Sequence, residues 1–139
     1  MNLKSALAIA FVAALAACQA GSPSDALSLK TNTGATETVV AIAQAAQTCW
    51  FKSKDRAFTG FRLANEVNSP SGRPRFLLVP KNNPAGLPLL VVQAEKKGSA
   101  ATGTYTAVQS FGPLLDTPNG ARINADVQRW ATGNSACTA

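Results

Sequence analysis

Between positions 36 and 52 apolar residues return every three or four places. Val39, Ile42, Ala43, Ala46, Cys49 and Trp50 form one stripe, which predicts a helix over 36–52. Glu37 near its start and Lys52 and Lys54 near its end carry the signs that a helix macrodipole favours. Lys52-Ser53-Lys54-Asp55-Arg56 then reads as a charged turn. From 58 to 67 the pattern changes to alternation. Phe61, Leu63 and Val67 oppose Arg62, Ala64 and Glu66, the signature of an edge or half-buried strand. Asn68-Ser69-Pro70-Ser71-Gly72 is a turn. Two short apolar runs, Arg75–Val79 and Leu89–Ala94, are bounded by prolines and predict central strands, joined by a loop over 81–86. Glu95 to Ser99 reads as a hairpin loop. Positions 104–111 alternate again, with Tyr105 and Phe111 on one side and Val108 on the other, as a strand should. Thr117 and Pro118 suit a helix start, Ile123, Val127 and Trp130 supply its stripe, and Gly133 suits its end.

These elements define an α+β domain over 35–139. A four-stranded antiparallel sheet is flanked by an N-terminal and a C-terminal helix, both on one face. Residues 18–34 are small and polar without periodicity and predict a flexible tether.

The first 17 residues follow another logic. Lys4 precedes an apolar run from Ala6 to Ala14, which is short of the roughly 20 residues that a spanning helix needs. This is the layout of a secretory signal. Its end, Leu15-Ala16-Ala17-Cys18, resembles the lipobox of bacterial lipoproteins. The resemblance implies cleavage before Cys18, a diacylglyceryl group on the Cys18 thiol and acylation of the new amino terminus by a palmitate-type chain. Several acyl chains would hold the protein stably on a membrane. Gln19 stands where an aspartate would mark retention at the inner membrane, which favours the outer membrane of the cell envelope. Ala14-Leu15-Ala16 also forms a site for ordinary signal peptidase, whose product would be soluble in the periplasm.

The chain has three cysteines. With Cys18 lipidated, Cys49 and Cys137 remain as a pair in an oxidising compartment, and a Cys49–Cys137 disulfide is expected. No C-x-x-C motif points to redox or zinc chemistry.

Charge changes the picture modestly. The net charge is +6, a balance that suits anionic lipid or polysaccharide and serves solubility equally well. Dense basic runs with interleaved aromatics are absent, which argues against nucleic acid. The basic residues fall into small groups: Lys52, Lys54 and Arg56; Arg73 and Arg75; Lys96 and Lys97. The first two groups are the candidates for an anion-binding patch if the fold brings their loops together.

Candidate catalytic residues are missing. The sequence has no histidine, which removes the commonest general base and the serine triad. Neither G-x-S-x-G nor S-x-x-K occurs. Gly98 to Gly103 has phosphate-loop spacing, but Thr104 occupies the lysine position. The mature acids, Asp25, Glu37, Asp55, Glu66, Glu95, Asp116 and Asp126, are scattered. No cofactor and no metal are expected. The sequence therefore points to a non-enzymatic, lipid-anchored envelope protein that binds another envelope protein or an anionic envelope polymer. The alternative is an inhibitor of an envelope-directed hydrolase such as lysozyme.

Overall fold

A computed structural model of the chain describes residues 27–138. The signal segment and Cys18 lie outside the described residues. The order of elements is strand β1 (Leu27–Thr31), helix α1 (Ala35–Ala46), a π-helical turn (Gln47–Lys52), a 3-10 turn (Arg56–Phe58), strands β2 (Phe61–Glu66), β3 (Arg75–Pro80), β4 (Leu90–Ser99) and β5 (Gly103–Phe111), a second 3-10 turn (Pro113–Asp116) and helix α2 (Gly120–Ala131). No helix among the described residues is long and apolar enough to cross a membrane.

The domain is α+β with an antiparallel sheet and two helices, as its pattern predicts, but the sheet has five strands in the order β1-β5-β4-β3-β2. The additional strand is β1, which lies inside the stretch expected to be tether. Leu27-Ser28-Leu29-Lys30-Thr31 pairs with Ser110 through Thr106 of β5. Its alternation is only five residues long and is flanked by small polar residues, too brief a signal to separate from a linker. Tertiary pairing supplies what the local pattern lacks.

Register explains which side chains reach the core. Phe76 faces Val92, Val92 faces Ser110 and Ser110 faces Leu27 across the sheet. Ala94, Val108 and Leu29 form the next row. Both rows lie under the helices, and Phe76, Val92, Ala94 and Val108 are fully buried. The opposite face carries Gln93 against Gln109 and Val91 against Phe111. The β4–β5 hairpin is longer than its sequence suggests. Glu95 to Ser99 is strand, paired with Ala107 to Gly103. Gly98 allows this close turn: its φ is +88°, and a Cβ there would meet the Gly103 carbonyl oxygen at 2.1 Å.

The expected first helix is present, but its last six residues wind wider. Ser53 N–H donates to the Thr48 carbonyl five residues back, at 3.2 Å. Within this turn Cys49 and Trp50 are both buried. Phe58, placed in a strand by its sequence context, sits instead in the 3-10 turn. Its ring stacks on Trp50 with centroids 4.4 Å apart, and Trp130 closes the cluster at 5.0 Å. The second helix starts two residues later than its Thr117-Pro118 signal indicates, because the chain first completes the turn over 113–116. Gly133 then ends it with φ +95°, donating to the Trp130 carbonyl.

Cys49 and Cys137 form the disulfide, with Cα atoms 5.2 Å apart and a separation of 88 residues. A loop of that length is worth roughly 4–5 kcal/mol in the chain-entropy account and often less in practice. Cys49→Ser and Cys137→Ser are expected to lower the unfolding free energy equally, by about 2–5 kcal/mol. The double variant should be no worse than either single one. Urea denaturation of the three variants checks this, and additive losses would contradict the pairing.

Beside the disulfide lies a buried carboxylate. Asp126 accepts from Trp50 Nε1 at 2.8 Å, from Arg129 at 2.7 Å and from the Thr138 hydroxyl at 3.2 Å. Asp126→Ala would strip the indole N–H and the Arg129 guanidinium of their partner, for a loss of about 3 kcal/mol. Tryptophan fluorescence during guanidinium unfolding reads this directly, and a loss below ~1 kcal/mol would show the network to be dispensable.

Candidate functional site

Where the helices end decides where a partner can reach the sheet. α1 packs over β3, β4 and β5, and α2 over β1 and β5. β2 is left at the rim. Its helix-side residues Phe61 and Leu63 are half-buried, whereas Phe76 and Leu78 in the neighbouring strand are fully buried. Between α1 and β2 runs a groove of about 300 Å³, in which Val39, Val40 and Ala43 on the helix side and Leu63 and Val67 on the β2 side share the lining with Gln44, Gln47, Thr48, Lys52 and Asn65.

The candidate anion-binding residues separate into two settings. Arg75 is bound to Glu66 at 2.5 Å, and Arg73 to Glu95 at 3.3 Å. Glu95 also receives Lys97 at 2.8 Å. Lys97 first, and then Arg73, hold the Glu95 carboxyl below the usual carboxylate range. These arginines lie where β2 ends and β3 begins, since Glu66 pairs with Arg75. Lys54 and Arg56 lie before the other end of β2, where Phe61 pairs with Pro80. A six-residue strand separates the two settings by roughly 17 Å. The arginines are therefore each ion-paired and distant from the Lys54–Arg56 group.

The lysine group gains different neighbours. Lys81 follows β3 and donates its backbone N–H to the Gly60 carbonyl at 2.9 Å. Arg62 stands on β2 itself, opposite Val79. Lys52, Lys54, Arg56, Arg62 and Lys81 are all exposed, and none makes an ion pair among the described residues. The sequence groups missed Arg62 and Lys81 because only the β2–β3 register brings them beside the first group.

Asp55 is the acid in their midst, and it is engaged. Its carboxylate caps the 3-10 turn by accepting from the Ala57 N–H at 3.0 Å and takes a close hydrogen bond from Arg122 of α2. Arg122 also covers the Phe58 ring at 5.6 Å. The Arg122 hydrogen bond is the main reason the Asp55 carboxyl is held below its ordinary range, and the same contact raises the Arg122 guanidinium. No group of three or more His, Cys, Asp or Glu able to hold a metal occurs among the described residues.

No protein-family model matches the chain, and no curated protein or solved structure matches it significantly. The assignment of function therefore rests on the residues themselves.

A carboxyl depressed in the folded state contributes stability above its unfolded pKa and loses it as pH falls through the folded pKa. Asp55 should thus stabilise the fold fully at neutral pH and progressively less below about pH 4. The destabilisation caused by Arg122→Gln is expected to shrink as pH falls from 6 to 2. Urea midpoints measured across that range test it, and a constant difference would mean the Asp55 contact carries none of the effect.

Proposed function

We propose that this chain is a lipid-anchored protein of the bacterial envelope with a non-catalytic, partner-binding role, held by acyl chains on Cys18 and facing the outer membrane rather than the inner. The carrying observation joins sequence and fold. Leu15-Ala16-Ala17-Cys18 has the lipobox form, and the Cys49–Cys137 disulfide uses both other cysteines. Cys18 is then the one thiol left for modification. The non-catalytic part of the reading is supported by how the acids are used. Asp55 serves Arg122, Glu66 serves Arg75, Glu95 serves Arg73 and Lys97, and Asp126 serves Trp50 and Arg129. Each of these carboxylates maintains the fold or neutralises a neighbour.

The test is the intact mass of protein extracted from membranes without reduction, after free thiols are blocked. The expected result is a chain beginning at Cys18 with added lipid and no blocked thiol. A lipid-free chain that begins upstream of Cys18 and carries a blocked Cys18 would overturn the anchoring.

One feature favours the second reading, an inhibitor of an envelope-directed hydrolase such as lysozyme. β4 pairs with β3 only as far as Gln93, and β5 pairs with β1 only back to Thr106. The hairpin beyond those rows projects from the sheet as a narrow two-stranded finger. Its tip is braced by the Ser99 and Thr102 hydroxyls 3.0 Å apart, and such a finger can enter an enzyme cleft. Purified protein at micromolar concentration would slow lysis of cell walls by lysozyme under this reading, and undiminished lysis would dispose of it.

A further inference from the structure

The two rims of the sheet differ in what surrounds them. At β1 the half-buried Leu27 and Leu29 pack against the main core, under α2. At β2 the helix layer stops short, a groove opens and, among the described residues, no strand lies alongside. An unpaired rim of this kind is a template for another strand. Its charge says which strand. Arg62 projects from the face opposite the groove, because Phe61 and Leu63 face the helices. Lys52 lines the groove itself. The nearby acids are already paired, Glu66 with Arg75 and Asp55 with Arg122, so Lys54, Arg56, Arg62 and Lys81 leave unbalanced positive charge toward the Phe61 end of β2.

We propose that the β2 rim is the partner-docking edge and that it accepts an extended segment of alternating apolar and acidic residues as a sixth strand. This rests on the partner-binding reading above. The apolar side chains enter the groove between α1 and β2, against Val40, Leu63 and Val67. The carboxylates fall on the opposite face beside Arg62, toward the end of β2 where Lys81 follows β3. Backbone hydrogen bonds hold the strand, while the groove and the cations select it. A second copy of this chain is disfavoured in one orientation: a parallel β2–β2 pairing would bring the two Lys54, Arg56 and Lys81 groups to the same end, and like charges there are destabilising. The dimerisation measured below decides the antiparallel one.

The experiment titrates the isotope-labelled full chain with an octapeptide that alternates valine and glutamate, followed by NMR. The expected result is amide shifts confined to residues 61–66 and the groove, with cross-strand contacts from the peptide to β2. The valine–lysine counterpart should leave the spectrum unchanged. Arg62→Glu and Lys81→Glu, both at exposed positions, should each weaken binding about tenfold without altering the fold. The proposal is overturned by shifts at β1 or the open sheet face, by affinity indifferent to both substitutions, or by no shift at millimolar peptide. It is equally overturned if the peptide-free chain dimerises through β2, or if phosphatidylglycerol vesicles rather than the peptide engage these residues. The titration does not involve the lipid, so its failure beside a lipidated Cys18 would remove this inference and leave the anchor standing.

Discussion

The fold turns on one buried carboxylate. Asp126 is 2 % exposed, and a bare charge at such a site would be costly without compensation. Its compensation comes from three parts of the chain: the π-helical turn through Trp50, its own helix through Arg129, and the C-terminal tail through Thr138. Satisfying one acid therefore fixes where those segments meet. The Trp50–Phe58–Trp130 cluster and the Cys49–Cys137 disulfide both form where those segments meet. The wide helical turn carries Cys49 and Trp50 into the same junction, both buried.

The groove beside β2 follows from simple dimensions. Five strands spaced at about 4.8 Å make a sheet roughly 24 Å wide. Two helices of about 10 Å each cover roughly 20 Å of it. About one strand is left over, and the alanine-rich α1 covers less than a leucine-rich helix would. α2 lies over the β1 side, so the uncovered strand is β2. The opening is thus what remains when two 12-residue helices are laid on this sheet.

Much of this arrangement is legible in the chain. The apolar stripes of both helices, the central runs of β3 and β4, and the cysteine pairing are all written in local pattern and count. The strand β1 is not, because five alternating residues carry meaning only once β5 is beside them. Asp126 was open to detection: Ile123, Asp126, Val127 and Trp130 stand at i, i+3, i+4 and i+7, which places an acid on a buried stripe and calls for a partner. The basic cluster was half legible. Lys52, Lys54 and Arg56 are neighbours in sequence, but Arg62 and Lys81 join them only through the register of β2 with β3. The removal of Arg73 and Arg75 from that cluster depends on where Glu66 and Glu95 come to lie, which residue spacing alone does not encode.

The pairing of β1 at one rim has a consequence for orientation. Nine residue steps separate Cys18 from Leu27, and covalent geometry limits that span to roughly 30 Å when fully extended. A chain held to lipid at Cys18 is therefore on a short leash attached at the β1 rim. In the strand order the opposite rim is β2, about 19 Å away across four strand spacings. The point of attachment at Leu27 and the open groove thus lie at opposite ends of the sheet's width. A tether joined there would leave the rim farthest from its own junction for the partner.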